Sequence, residues 1–170
     1  MDADTLRSLQ APLKDRYRST PTLAKLTLHA TGRIGDGVTC KVDTGQALVE
    51  AGLHPATGGT GLSACSGDML LQALVACAGV TMGAVATAIG ITLNDVTVEA
   101  EGDLDFRGTL GVSKEVAVGF QQIRLRFLVD TVATDAELAN LLRLTERYCV
   151  VYQTLAKPPA LEVSCVRSAV

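Results

Sequence analysis

Three segments alternate apolar and polar residues, the period of a strand with one buried face. In the first, Leu26, Leu28 and Ala30 alternate with Lys25, Thr27, His29 and Thr31. In the second, Val96, Val98, Ala100, Leu104 and Phe106 oppose Thr97, Glu99, Glu101, Asp103 and Asp105. In the third, Ile123, Leu125, Phe127 and Val129 oppose Gln122, Arg124 and Arg126. Each keeps one wet face, so the expected sheet is antiparallel and covered on one side only. Glutamates on one strand and arginines on another predict cross-strand ion pairs on the wet face. Shorter strands are expected at Val38–Val42 and Leu161–Cys165, and Gly32–Gly37 reads as the turn between the first two strands.

The period then changes. Thr134-Asp-Ala-Glu137 is a capping box, and the helix it opens turns Leu138, Leu141, Leu142, Thr145 and finally Cys149 inward. Leu6, Leu9, Leu13 and Tyr17 recur at helical spacing before Pro21, which predicts a docked N-terminal helix or arm over residues 1–22 and a single domain over 23–170. Residues 68–90 form a helix that is apolar on every side, whereas a one-sided sheet covers only part of its circumference. The second helix supplies some cover and a second copy of the chain the remainder, so a homodimer is expected. Residues 69–91 carry no formal charge and are long enough to cross a bilayer. The flanks argue against a membrane: no Lys or Arg lies between Lys41 and Arg107, and Gln72, Thr81 and small residues dilute the stretch.

Length and charge narrow the class. The 170 residues suffice for one core, and the net charge of -3 is ordinary. No Lys/Arg cluster interleaved with aromatics is present to neutralise phosphates, and Lys14–Arg18 is short and carries its own acid, which argues against nucleic acid. Nothing in Met1–Thr20 resembles a secretory signal, so a cytoplasmic location is expected. Five cysteines at irregular spacing, with no CxxC and no zinc-ligand interval, predict neither a disulfide framework nor a metal site, and no cofactor is implied.

The chemistry therefore rests on thiols. Cys77 lies mid-way along the apolar helix, where a free cysteine is ordinarily inert packing and reacts only as a thiolate stabilised by a cation or dipole. Its helix carries no cation, and Arg33, in a glycine-flanked turn, is the best external candidate. Asp68 suits the first turn of that helix after a Ser66 cap. At about 100° per residue it points half a turn away from Cys77, and Gly67 lies nearer that face. Cys40 and Cys165 are expected inward on strands, with Cys65 just outside the helix. His29 and His54 read as surface residues, and Gly52–Gly61 as a flexible cover near the mouth of the helix rather than a phosphate loop.

Ser66-Gly-Asp68-Met-Leu-Leu71, Ala76-Cys77, Arg147-Tyr-Cys149-Val-Val-Tyr-Gln-Thr-Leu155 and, more loosely, Ala30-Thr-Gly-Arg33 together resemble the OsmC/Ohr family of osmotically inducible and organic-hydroperoxide-resistance proteins. The likeness runs from about residue 23 to the end. It implies an α+β OsmC-like fold, an antiparallel sheet packed on long central helices, in an intertwined homodimer with active sites at the subunit interface. It also implies a thiol peroxidase acting on organic hydroperoxides, with Cys77 peroxidatic, Cys149 resolving, Arg33 activating, and an external lipoyl-type or thioredoxin-like dithiol as reductant. Two positions depart from the family pattern: Gly67 stands where Ohr-type members carry a glutamate that orients the arginine, with Asp68, one residue along, the candidate for that guiding role, and Val150 stands where a proline usually follows the second cysteine. The competing reading is an inactive scaffold that binds an apolar small molecule at the dimer interface, with Cys77 merely lining the pocket.

Overall fold

The computed structural model describes residues 3–34, 40–42, 51–62 and 64–167, with the backbone alone at 3–7, 28–30, 32, 34 and 40–42. In chain order the elements are α1 (Ala3–Ser19), β1 (Lys25–Ile34), β2 (Cys40–Val42), β3 (Ala51–Gly52), β4 (Ala64–Cys65), α2 (Ser66–Ile89), β5 (Asp95–Asp105), the one-turn α3 (Phe106–Thr109), β6 (Phe120–Asp130), α4 (Asp135–Tyr148) and α5 (Val150–Ala156). The main sheet runs β2-β1-β5-β6, and its three pairings are antiparallel. The expected α+β architecture, an antiparallel sheet with helices on one face, is present.

The alternation along the strands has the effect expected of it. Val96, Val98 and Ala100 are buried under α2, while the other face of β5 meets β6 through ion pairs. Arg126 lies 2.8 Å from Glu99 and Arg124 lies 3.1 Å from Glu101, with Asp103 bonded to Arg124 and, at 2.6 Å, to Thr27. These pairs are partly solvated, so they fix register more than they stabilise.

Three expectations about the strands are corrected. Gly32, Arg33 and Ile34 are strand rather than turn: Gly32 pairs with Val98 and Val42, Arg33 with Thr97 and Lys41, and Ile34 with Cys40. The rest of the expected turn, and residues 38 and 39 of the second strand, lie outside the described residues. Leu161–Cys165 is not a strand within one chain: it has no paired neighbour, and Leu161 and Val163 are 87% and 96% exposed. A strand pattern needs a partner edge, and among the described residues this segment has none. The second strand also ends earlier than expected, Phe106 opening α3 behind the side-chain cap of Asp105.

α2 spans 24 residues and buries Leu71, Leu74, Val75, Ala78, Met82 and Ala86 on one face, at the three- and four-residue spacings of a helix stripe, against β5 and Leu141 of α4. Cys65, not Ser66, is the residue that precedes its first turn, which makes Asp68 the third helical residue. The helix ends at Gly90, whose φ of 75° is the left-handed conformation of a helix stop. Among the described residues α2 alone has the length and apolarity to cross a membrane. Its packing on the sheet and on α4 and α5 gives that apolarity a use in a soluble fold.

A second, smaller core gathers Tyr17, Ala24, Phe106 and Leu110. Tyr17 is 1% exposed and donates its hydroxyl to the Ala56 carbonyl at 2.8 Å, and Gln10 donates to Thr57 at 3.2 Å. The segment ahead of α2 is thus tied to α1 rather than loose. Gly59 lies so close to the Leu53 carbonyl that no Cβ fits there. His54, expected at the surface, is half-buried: its ring stacks on Phe106 at 5.1 Å and its Nδ1 accepts the Ala56 N–H at 3.0 Å. The side chains of Leu6, His29 and Cys40 lie outside the described residues.

Tyr17 is therefore expected to anchor the arm. Tyr17→Phe should lower stability by about 1 kcal/mol through the lost hydroxyl bond, and Tyr17→Ala by about 3 kcal/mol or more through the emptied core. Urea unfolding checks both, the phenylalanine variant shifting the midpoint at unchanged slope.

Candidate active site

The capping box opens α4 as expected, Thr134 accepting the Glu137 N–H at 3.3 Å and the Glu137 carboxylate accepting the Thr134 N–H at 2.8 Å. From there Leu141, Thr145 and Cys149 point inward and are buried, while Leu142, expected to join them, is 40% exposed. At Cys149 the chain leaves helical geometry, with φ -70° and ψ 109°, and restarts as α5. One residue thus closes α4 and caps α5. The Cys149 sulfur accepts the Tyr152 N–H at 3.4 Å, and its carbonyl accepts the Gln153 N–H at 2.9 Å.

Cys77 faces this restart. It sits half-buried on α2, on the side that α5 crosses. Burial pushes its thiol up in pKa, but polar groups around the sulfur outweigh burial and the net shift is downward. They are, in decreasing order of effect, the Val151 N–H, the Cys149 thiol, the Val150 N–H and the Thr81 hydroxyl. The first N–H groups of a helix have no intrahelical acceptor, so a thiolate is a natural partner for them. Cys149 moves the other way: burial, with the Cys77 sulfur beside it, pushes it up to about 11 against the Tyr152 and Val151 N–H groups. Two touching thiols are thereby separated into one that ionises early and one that keeps its proton.

Of the four residues singled out from the sequence, the fold brings two together. Arg33 is 66% exposed and bonds Asp95 at 3.0 Å, and no cation is among the groups that set the acidity of Cys77. Asp68 acts electrostatically on His54, opposing the burial that lowers the pKa of that imidazole. The influence of Thr81, Val150 and Val151 on Cys77 was not foreseen from the sequence. Thr81 carries a readable signal, a hydroxyl four residues after Cys77 and so on the same helical face. The two valines carry none, because they act through their backbone. Among the described residues no three His, Cys, Asp or Glu side chains gather where a metal ion could be held.

Beside the thiol pair, β6, α2, α4 and α5 enclose a groove of about 900 Å³ lined by Leu74, Phe127, Leu138 and Tyr152 among others.

Over residues 59–164, more than half of the chain, the sequence matches the family described as OsmC-like protein. The chain belongs to the OsmC-like family. Two solved structures share the fold: an OsmC-like hydroperoxide resistance protein from Jannaschia sp. CCS1, at 16% identity and a TM-score of 0.57, covering 81% of this chain and 91% of that one, and an OsmC-like protein from Mycoplasma pneumoniae, at 16% identity and a TM-score of 0.55, covering 79% and 86%. No curated protein matches. The OsmC-like match takes in Cys77, Cys149 and Asp68, while Arg33 lies ahead of it.

The opposed shifts predict selective labelling. Near pH 7.5, iodoacetamide should modify Cys77 while Cys149 stays free, as peptide mass mapping reads directly. Val150→Pro sharpens the test: proline suits the first turn of α5 but has no N–H to donate. It should leave the helix content unchanged in circular dichroism and move the alkylation profile of Cys77 to higher pH.

Proposed function

We propose that this OsmC-like protein is a cysteine-based peroxidase that reduces organic hydroperoxides and is recycled by an external dithiol. The observation that carries this reading is the pair itself: a Cys77 thiol made more acidic and a Cys149 thiol kept protonated, within hydrogen-bond reach. The Cys77 thiolate attacks the outer peroxide oxygen, the O–O bond breaks, and Cys77 becomes a sulfenic acid. The alkoxide leaves and takes a proton from solvent, giving the alcohol. Cys149 then attacks the sulfenic sulfur, the S–O bond breaks, and its thiol proton departs with the hydroxide as water. A lipoyl-type or thioredoxin-like dithiol reduces the resulting disulfide by exchange. The hydroperoxide-resistance name of the Jannaschia protein agrees with this chemistry. Free thiols fit a reducing, cytoplasmic setting.

Arg33 and Asp68 enter this scheme on narrower terms. Arg33 activates Cys77 only if it leaves Asp95 or comes from a second copy, and Asp68 guides it only by turning from His54. If Arg33→Ala leaves the reaction rate with peroxide unchanged, activation belongs to the start of α5 and Thr81 alone.

A homodimer is part of the same proposal. β6 presents half-buried Ile123, Leu125, Phe127 and Val129 to the groove, Met69, Leu70 and Ile89 of α2 are exposed, and the tail holds Leu161 and Val163 in water. A second copy would bury such surface. The groove also favours the second reading, a scaffold for an apolar small molecule at the dimer interface; sedimentation equilibrium tests the dimer that both readings share, and a monomer mass would overturn it.

One equivalent of cumene hydroperoxide should join Cys77 to Cys149 within one chain, and Cys149→Ser should leave a sulfenic acid that dimedone traps. Peptide mapping that finds both thiols unmodified would overturn the peroxidase and leave the scaffold.

A further inference from the structure

We infer that Gln153 is a positioning residue of this site, its side-chain amide clamping the break between α4 and α5 so that Cys149 is held in place to close on Cys77. The inference rests on the pairing of the two thiols, and on the proposed peroxidase reaction only for its rate.

The break leaves a bond to be replaced. Along an α-helix each carbonyl accepts the N–H four residues on, and the Cys149 N–H still reaches the Thr145 carbonyl in this way at 2.9 Å. The next carbonyl is that of Glu146, whose regular partner would be the Val150 N–H. The ψ of a residue aims the N–H that follows it, and the 109° at Cys149 turns the Val150 N–H by roughly 150° from its helical direction. Gln153 takes the place left open, its Nε2 donating to the Glu146 carbonyl at 2.7 Å.

Gln153 ties the junction through its backbone as well. Its N–H donates to the Cys149 carbonyl at 2.9 Å, and its own carbonyl accepts the Lys157 N–H at 2.9 Å. One residue thus bonds the last turn of α4, the junction and the end of α5. Between these bonds sits the Cys149 sulfur, 1% exposed and accepting the Tyr152 N–H at 3.4 Å.

Such a clamp matters because little else holds α5. It has seven residues, none of them fully buried, and Val151, Tyr152 and Leu155 pack only half-buried against the core. A helix of that length is marginal in water by itself, so its place against α2 depends on the junction. When the clamp opens, the junction samples more backbone angles and Cys149 spends less time beside Cys77. Closing the disulfide must then recover the lost order, which lowers the effective concentration of one thiol at the other.

Gln153→Met keeps the length and neutrality of the side chain and removes the donor, and Gln153→Lys restores a donor of similar reach. Equilibrating the chain with glutathione and its disulfide measures closure without peroxide: Cys77 and Cys149 give up two protons and two electrons, and one glutathione disulfide becomes two thiols. Read by peptide mass mapping at the two cysteines, the equilibrium constant should fall about tenfold in the methionine variant and recover in the lysine variant. The urea midpoint should stay close to that of the parent. With cumene hydroperoxide, the methionine variant should also pass from sulfenic acid to disulfide about tenfold more slowly, seen as more dimedone adduct on Cys77. An unchanged glutathione equilibrium in Gln153→Met overturns the inference, as does lysine failing to rescue. A fall in the constant matched by a fall in the urea midpoint would mark general destabilisation and overturn it too. If the parent chain does not consume peroxide, the peroxidase reading fails while the glutathione arm still decides whether Gln153 positions the pair.

Discussion

α2 is apolar around its whole circumference, and a four-stranded sheet touches only one side of it. That mismatch organises the rest of the molecule. The face set by Leu71, Leu74, Val75, Ala78 and Met82 takes the sheet, and the flank carrying Cys77 takes α4 and α5. A single continuous helix after Thr134 would meet α2 with side chains only. Because the chain breaks at Cys149 and restarts at Val150, a helix start with unpaired N–H groups is laid against α2, and the residue that receives it is Cys77.

A helix start is well suited to that task. A buried guanidinium would stabilise a thiolate strongly but would itself have to be desolvated, whereas peptide N–H groups are part of the fold and are oriented before any charge appears. The same seat treats its two sulfurs unequally. Cys149 is 1% exposed and keeps its proton, while Cys77 retains access to solvent and loses it more readily. Neighbouring groups whose acidities are driven apart mark a division of labour, here between attack and resolution.

Much of this was legible in the sequence, and the residues show why. The alternation in 96–105 and 122–129 survives because each strand truly has one wet and one dry face, and the glutamates and arginines on the wet side meet as their spacing implies. The Thr134–Glu137 cap is local chemistry and holds for the same reason. Signals that depend on a distant partner were less readable. Gly32–Ile34 reads as a turn until β2 and β5 are placed on either side of it. Leu161–Cys165 has a strand's pattern but no edge to pair with among the described residues. At the site, both thiols were found from position in the chain, whereas the groups that tune them are backbone amides, which no side-chain pattern encodes, and a threonine that reads in the sequence only as a polar break in an apolar stretch.

The apolar surface that one chain leaves uncovered bears on the same chemistry. The inner face of β6 is only half-buried, and the groove beside it reaches Leu74, three residues before Cys77, and Tyr152, three after Cys149. Covering that groove would remove water from the flank of the thiol pair. Desolvation alone disfavours a thiolate, yet it strengthens each hydrogen bond already aimed at the sulfur, because a fixed donor acts more strongly where the local dielectric is low. With donors from α5 and Thr81 in place beforehand, the balance between these opposing effects is set by geometry rather than by solvent reorganisation. The uncovered face of α2 and the poised sulfur upon it are thus consequences of one sequence choice: a helix too apolar to be satisfied by its own sheet.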